Sequence, residues 1–244
     1  MQPEIHIFGL TIQTFGLALG AAFLVAGWMV AKRFGELGRN VDLAYEMVFA
    51  ALIGGLIGAK LWYIAENGGP LFSGTGLTFY GGLLGGALAV IAWTRYRGEL
   101  DLQLTDAVVP SLAAAYAIGR IGCQLAGDGD YGSDWDGPWA MAYPNGTVPI
   151  DTPVHPTPIY ETLLMGGFAL LLWRWRDRWQ AGTLTAIYLI GAGLERFLIE
   201  FIRRNDAVAL GLTQPQWVSL AMMAAGTIWL VVRRPVAAPV TRAA

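Results

Sequence analysis

The sequence predicts an all-α, polytopic integral membrane protein with about seven transmembrane helices. Three observations support this fold class: 55% of the 244 residues are hydrophobic, only 14% are charged, and long apolar runs recur along the chain. A soluble domain carries about 25% charged residues, whereas a membrane-spanning helix needs about 20 predominantly apolar residues. We therefore expect a single transmembrane domain over residues 1–244.

Seven apolar segments account for most of the chain. The predicted spans are 14–31, 43–65, 79–94, 104–126, 158–173, 182–202 and 215–232. The third and fifth are short, so we expect them to be tilted or half-buried. Glycines lie four residues apart at Gly54 and Gly58 in the second span and at Gly81 and Gly85 in the third. This spacing favours close approach of helix backbones.

Basic residues are distributed unevenly between the two sets of loops. Eleven of the 16 Lys and Arg residues fall in loops 1–2, 3–4 and 5–6 or after the last span, and only Arg203 and Arg204 fall in the other loops. Because cytoplasmic loops carry the excess of basic residues, we expect the N-terminus outside and the C-terminus in the cytoplasm. The net charge of −2 and the absence of a basic stripe argue against a nucleic-acid partner.

Three cations, Lys60, Arg120 and Arg196, lie inside predicted spans. Arg120 and Arg196 each follow the cytoplasmic start of their span by about 21 Å of helix, and Lys60 lies at a similar depth. Glu200 is one turn beyond Arg196, and Glu161 is near the outer end of the fifth span. The charges could pair only with each other, but buried charges in membranes are typically functional. We therefore favour a polar cavity that binds an anionic phospholipid headgroup, since arginine grips phosphate at two points.

The segment 127–157 is acidic, aromatic and free of Lys and Arg. It predicts a solvated cap on the outer membrane surface. Four aromatic residues are expected there in an interfacial belt: Tyr131, Trp135, Trp139 and Tyr143. Asp128 lies two turns beyond Arg120 and is expected either to pair with a cation of the cavity or to act as a base. Cys123 is the only cysteine, which excludes an internal disulfide.

Five ordered motifs resemble those of the prolipoprotein diacylglyceryl transferase family. They are QTFGLALG (13–20), GLTFYGGLLGG (76–86), GRIGCQLAGDGDYG (119–132), HPTPIYE (155–161) and ERFLIEFIRRND (195–206). Each motif alone is a weak signal, but their order along most of the chain is the family's order. The combination of FYGG with GDGD is typical of a subtype of this family.

The resemblance implies a multi-pass enzyme of the bacterial cytoplasmic (inner) membrane with its active site toward the outer leaflet. Such an enzyme transfers the diacylglyceryl group of phosphatidylglycerol to the lipobox cysteine of a prelipoprotein signal peptide, releasing glycerol phosphate without metal or cofactor. The matched positions imply that Arg120 and Arg196 bind the lipid, and that Asp128 and Glu200 are the motif carboxylates. Tyr80 stands where the family has a histidine, so the base remains open among Tyr80, Asp128 and Glu200.

Further substrate-binding residues are expected in the same motifs and spans. They are Lys60, Gln124, His155, Glu161 and Arg203. The alternative is a non-catalytic phospholipid-binding or lipid-transporting homologue of the same fold. GDGD at 127–130 also suggests an intramembrane aspartyl protease. That activity would need a second aspartate at matching depth on another span, and Asp42 and Asp106 lie at cytoplasmic helix starts.

Overall fold

A computed structural model of the chain describes residues 1–7, 9–70 and 78–233. That part of the chain is mainly helical. Its helices are α1 (Thr14–Glu36), α2 (Asp42–Asn67), α3 (Phe79–Tyr96), α4 (Leu102–Ala126), α5 (Thr157–Trp175), α6 (Thr183–Ile199) and α7 (Gln214–Arg233), with a 3₁₀ turn at Glu200–Ile202. Its strands form three antiparallel hairpins: β1 (Glu4–Ile7) with β2 (Leu10–Gln13), β3 (Met141–Tyr143) with β4 (Ile150–Val154), and β5 (Ala207–Ala209) with β6 (Leu212–Thr213).

Every predicted span overlaps one of these helices, and only Gly182 and the last residues of the sixth span, which form the 3₁₀ turn, lie outside them. By length and composition, four of the helices in the described ranges are long and apolar enough to cross a membrane: α1, α2, α4 and α7. Helix α6 has 17 residues and carries Glu195 and Arg196. The mainly helical, membrane-type fold is therefore confirmed, while seven spans and the orientation of the termini stay predictions.

The chain folds as two compact units, one of which is Gly27–Thr105. Within this unit, α2 and α3 pack through glycine backbones. A Cβ atom on Gly58 would lie 2.3 Å from the carbonyl oxygen of Gly81 and 2.7 Å from the Cα of Gly85. A Cβ on Gly85 would likewise lie 2.3 Å from the carbonyl oxygen of Gly54. The predicted close packing of these glycines is confirmed, since any side chain there would force the helices apart.

The other unit comprises Met1–Ala26 and the chain from Asp106 onward. Small and apolar residues every fourth position of α4, namely Val109, Ala113 and Ala117, are buried in its core. They share this core with Met165 of α5 and Leu184 of α6. Because positions four apart lie on one helix face, the stripe joins α4 to α5 and α6. This packing fixes the helices that carry the charged residues described below.

The start of α6 is held by a side chain from α4. The carboxylate of Asp106 accepts hydrogen bonds from the backbone N–H groups of Gly182, at 2.8 Å, and Thr185, at 2.7 Å. The first N–H groups of a helix lack partners within the helix, and a carboxylate satisfies both their hydrogen bonding and the helix dipole. Asp106 of α4 therefore caps the start of α6, although the two are far apart in the sequence.

The segment 127–157 forms a folded cap that has buried residues of its own. Its hairpin β3–β4 buries Tyr143 and Val154 completely, and Tyr131 packs on Tyr143 with ring centroids 5.0 Å apart. The expectation of an interfacial belt is therefore wrong for Tyr131 and Tyr143. A two-stranded hairpin is only marginally stable by itself. The rings of Tyr131 and Tyr143 give this hairpin a small hydrophobic core. Trp139 remains 60% exposed, as a belt residue would.

Candidate functional site

Three arginines from separate elements meet at one carboxylate. Arg120 of α4 places its Nε 3.2 Å from Oε2 of Glu161 on α5, and Arg203, just after the 3₁₀ turn, places its Nη1 3.5 Å from the same oxygen. Arg196 of α6 places its Nη1 3.6 Å from Oε1 of Glu161. The Glu161 side chain is fully buried. These arginines and the carboxylates paired with them, Asp130, Glu161 and Glu200, are called the arginine cluster below.

Local sequence explains why Glu161 reaches this position. Pro156 and Pro158 shape the start of α5, which places Glu161 one turn into the helix. Tyr116 lies one turn before Arg120 on the same face of α4, and its hydroxyl donates to Oε1 of Glu161 at 2.7 Å. Arg120 Nη2 in turn donates to the Tyr116 hydroxyl at 3.0 Å. The buried carboxylate is thus both ion-paired and hydrogen-bonded, as burial of a charge requires.

Asp130 bridges two of the arginines. One carboxylate oxygen pairs with Nη1 of Arg120 and the other with Nη2 of Arg203. Gly127 and Gly129, with φ of 59° and 92°, turn the chain after α4 so that Asp130 can reach back. Burial opposes ionisation of Asp130, but Arg120 and Arg203 outweigh it and hold the pKa of this carboxyl below its usual value. Asp130 is therefore the carboxylate that pairs with Arg120, in place of Asp128.

Glu200 is held rigidly at the end of α6. Its Oε2 lies 2.7 Å from Nη2 of Arg196, while its Oε1 accepts hydrogen bonds from Thr213, at 2.8 Å, and Asn205, at 2.7 Å. The side chain is fully buried. Arg196 Nη1 is also buried, and among the described residues it has no hydrogen-bond partner, although Glu161 lies near it. One donor of the cluster thus lacks a hydrogen-bond acceptor.

Asp128 lies beside the cluster with fewer partners. Its Oδ1 accepts the backbone N–H of Asp130 at 3.3 Å. Burial and the neighbouring charge of Asp130 raise the pKa of Asp128. Cys123, Asp128 and Asp130 offer ligand atoms within 4.8 Å of one another, a spacing that could hold a metal ion. Both oxygens of Asp130 are already engaged by Arg120 and Arg203, which disfavours that use.

The outer segment docks onto the 3₁₀ turn at a glycine. A Cβ on Gly132 would lie 2.5 Å from the carbonyl oxygen of Ile202, so no side chain fits there. Ser133 donates its N–H to the same carbonyl at 2.7 Å, and Arg204 donates its Nε–H to the Gly132 carbonyl at 2.9 Å. This contact fixes Asp130 relative to Arg203.

Two other predicted site residues, His155 and Gln124, contact residues of the outer segment and its neighbours. His155 stacks on Trp135 with ring centroids 4.4 Å apart, and its Nδ1 lies 3.3 Å from the Tyr160 hydroxyl. Gln124 accepts a hydrogen bond from Tyr143 at 2.9 Å. The described contacts therefore place both residues in support of the cap rather than in the arginine cluster.

Lys60 and Tyr80 belong to the unit Gly27–Thr105. Lys60 is buried on α2, with its Nζ 5.7 Å from the centroid of the Tyr63 ring. Tyr80 is half-buried in the first turn of α3. The roles expected for both residues rest on the sequence.

Sequence reasoning missed three residues of this region. Tyr116 carried a signal, because a residue four positions before Arg120 shares its helix face. Glu195 on α6 places its Oε1 in a buried position without a hydrogen-bond partner among the described residues. The sequence pattern points to the neighbouring Arg196 instead of Glu195. Asp130 could not be distinguished from Asp128, since only the turn between them decides which carboxylate faces Arg120.

Comparison with known proteins supports the family resemblance. The family model for prolipoprotein diacylglyceryl transferase matches residues 3–232. Three relatives carry the name phosphatidylglycerol–prolipoprotein diacylglyceryl transferase. The protein of Idiomarina loihiensis is 35% identical over 93% of this chain and 90% of its own. That of Methylibium petroleiphilum is 34% identical over 93% and 91%, and that of Clostridium tetani is 32% identical over 90% and 93%. The chain therefore belongs to the prolipoprotein diacylglyceryl transferase family.

Proposed function

We propose that this protein transfers the diacylglyceryl group of phosphatidylglycerol to the lipobox cysteine of bacterial prelipoproteins. The observation that carries the proposal is the convergence of Arg120, Arg196 and Arg203 on the buried carboxylate of Glu161. Guanidinium groups form forked, charge-assisted hydrogen bonds with phosphate. A family match over 3–232 and relatives named for this reaction point to the phosphate of phosphatidylglycerol.

The enzyme is one transmembrane domain of seven spans in the cytoplasmic membrane, with its N-terminus outside. The basic residues cluster at the ends of helices predicted to face the cytoplasm. Arg120 and Arg196 lie near the C-terminal ends of α4 and α6, away from the ends predicted to face the cytoplasm. Glu161 lies near the start of α5. This placement supports an active site that opens toward the outer leaflet, where prelipoproteins emerge.

The reaction is a substitution at carbon. The sulfur of the lipobox cysteine attacks the glyceryl carbon that bears the phosphate, and a thioether bond forms. The carbon–oxygen bond to phosphate breaks, its electron pair stays on the phosphate oxygen, and glycerol phosphate leaves. Arg120, Arg196 and Arg203 stabilise the charge that grows on the phosphate. Preorganised donors of this kind each contribute about 3–4 kcal/mol to catalysis.

Asp128 accepts the thiol proton in this proposal. Glu200 is held by Arg196, Thr213 and Asn205, so it serves to orient Arg196 rather than to exchange protons. Asp128 has fewer partners, and its raised pKa brings it closer to the operating pH, which suits a general base. From the sequence, Tyr80 is expected to donate a hydrogen bond to the lipid headgroup and Lys60 to contribute positive charge.

The remaining predicted residues act indirectly. Gln124 holds Tyr143 in the core of the cap, and His155 stacks on Trp135. Both therefore position the outer segment that carries Asp128. Their substitution is expected to loosen the cap and so to weaken both lipid binding and the positioning of Asp128.

The test is a transfer assay in proteoliposomes with labelled phosphatidylglycerol and a lipobox peptide. The wild-type protein should form the thioether-linked product. Asp128→Asn should lose about 100-fold or more in turnover, the usual contribution of a general base. Asp136→Asn, at an exposed position of the same segment, is the matched control and should keep wild-type turnover. Lipid binding without any transfer by the wild type would instead support the non-catalytic alternative.

A further inference from the structure

The two arginines nearest to Asp130 are already occupied by protein groups. Arg120 directs Nε to Glu161, Nη1 to Asp130 and Nη2 to the Tyr116 hydroxyl. Every guanidinium nitrogen of Arg203 lies within 4.0 Å of a carboxylate of Asp130, Glu161 or Glu200. A phosphate group that forms a fork on these arginines therefore competes with one of these carboxylates.

The structure distinguishes which carboxylate can leave. The side chains of Glu161 and Glu200 are fully buried, whereas the Asp130 side chain is 29% exposed. Moving a carboxylate without reaching water would leave an uncompensated buried charge, which is strongly unfavourable. Asp130 also sits on a turn with Gly127 and Gly129, outside any helix, whereas Glu161 is fixed within α5. Asp130 alone of the three has an exposed face, so a change of its side-chain rotamer can carry the carboxylate to solvent while the backbone stays in place.

We propose that Asp130 is an internal competitor for phosphate. Its carboxylate occupies, on Arg120 and Arg203, the position that the phosphate of the lipid takes on binding. This inference rests on the proposed function and goes beyond it, because it assigns Asp130 a positioning role that acts through the two arginines. Asp130 itself contacts no reacting atom.

Charge balance explains why such a competitor is useful. Without ligand, three guanidinium groups face three carboxylates, so the cluster is neutral and no arginine is left unpaired. A phosphodiester carries one negative charge, so its exchange with Asp130 conserves that balance. The buried Nη1 of Arg196 has no hydrogen-bond partner among the described residues, so a phosphate that reaches it would supply the missing acceptor. When glycerol phosphate has formed, the returning carboxylate of Asp130 competes it off the arginines.

The test compares Asp130→Asn with the wild-type protein for binding of glycerol phosphate. Asparagine has nearly the same shape but cannot compete as an anion. A ligand binds only the fraction of protein that is in the competent state. Its apparent affinity therefore rises when a competing state is removed. We expect the dissociation constant of glycerol phosphate and the KM for phosphatidylglycerol each to fall about tenfold. Asp134→Asn is the matched control, because Asp134 lies on the same outer segment but pairs with Arg204 outside the arginine cluster, and both constants should stay unchanged.

Binding is measured by thermal stabilisation of the purified protein, which requires no turnover. A protein that binds glycerol phosphate but transfers nothing would disprove the proposed function and leave this comparison intact. An unchanged or raised dissociation constant in Asp130→Asn would overturn the inference. If that variant does not fold, Asp130→Ala replaces it with the same expectation. Loss of the folded state in both variants would also overturn the inference, since Asp130 would then hold the cluster together rather than compete for it.

Discussion

Two regions of the molecule hold helices together in opposite ways. Helices α2 and α3 meet through bare backbone at Gly54, Gly58, Gly81 and Gly85, where a single added carbon would collide. The arginine cluster instead joins α4, α5 and the end of α6 through charged side chains of full length. The first region depends on the absence of side chains. The second depends on the pairing of each charged side chain with one of opposite charge.

The difference determines how each region fails. Overpacking a glycine contact moves two helices by a small distance, and the cost is steric and local. Removing one partner from a buried ion-pair network leaves another charge uncompensated, which costs more than the pair contributed. We therefore expect the charged region to be far more sensitive to a nearly isosteric substitution than the glycine region is to an added methyl group.

The largest effect is expected from Glu161→Gln. This change removes the charge that three arginines share and should destabilise the protein by about 3–5 kcal/mol, as for other broken buried pairs. Glu46→Gln is the control, because Glu46 pairs with Arg97 where both side chains are partly exposed, and it should cost about 1 kcal/mol or less. Denaturant unfolding in detergent measures both. Equal losses would show that burial does not distinguish the two pairs.

An intermediate effect is expected from Gly85→Ala. The new Cβ would lie 2.3 Å from the carbonyl oxygen of Gly54 and should cost about 1–3 kcal/mol through overpacking. Gly82→Ala is the control on the same helix, since its Cβ would meet its nearest neighbour at 3.6 Å, an ordinary contact. Thermal unfolding of the two variants tests the contrast. A Gly82 variant as unstable as the Gly85 variant would remove the glycine contact from the account.

A smaller effect is expected from Asp106→Ala. Asp106 is a half-buried carboxylate that satisfies helix N–H groups instead of arginines, so its loss should cost about 1–2 kcal/mol, as for other helix caps. Transfer activity of the folded variant should persist, because Asp106 lies at the other end of α4 from Arg120. The melting temperature and the transfer rate measured together check this. A large loss of activity at full stability would contradict a purely capping role.

The fold was largely predictable from the sequence, and the cluster was predictable only in part. Helix positions follow from apolar runs, and glycine packing follows from a spacing of four, both of which are local patterns. Arg120 and Arg196 stand out because charge is costly in apolar surroundings, whereas Glu161 and Arg203 are expected from the motifs that contain them. Their pairing was not predictable, because it depends on how distant segments meet.

The outer segment shows the same limit. Asp128 and Asp130 are two residues apart in one acidic stretch, and the turn at Gly127 and Gly129 decides that Asp130 faces the arginines. Composition alone favoured an exposed aromatic belt, but Tyr131 and Tyr143 are buried in the core of the cap. Composition gives the residue types of a segment. It does not predict their burial, because burial depends on which strands pair.

The most direct test of the central claim is the transfer rate of Arg120→Lys in proteoliposomes. Lysine keeps the charge but cannot form the forked contact with phosphate, so we expect a loss of about tenfold or more in a protein that still folds. Arg97→Lys, at a partly exposed ion pair with Glu46, is the control and should transfer at the wild-type rate. Wild-type turnover in Arg120→Lys would contradict the account, because positive charge alone would then suffice at that position.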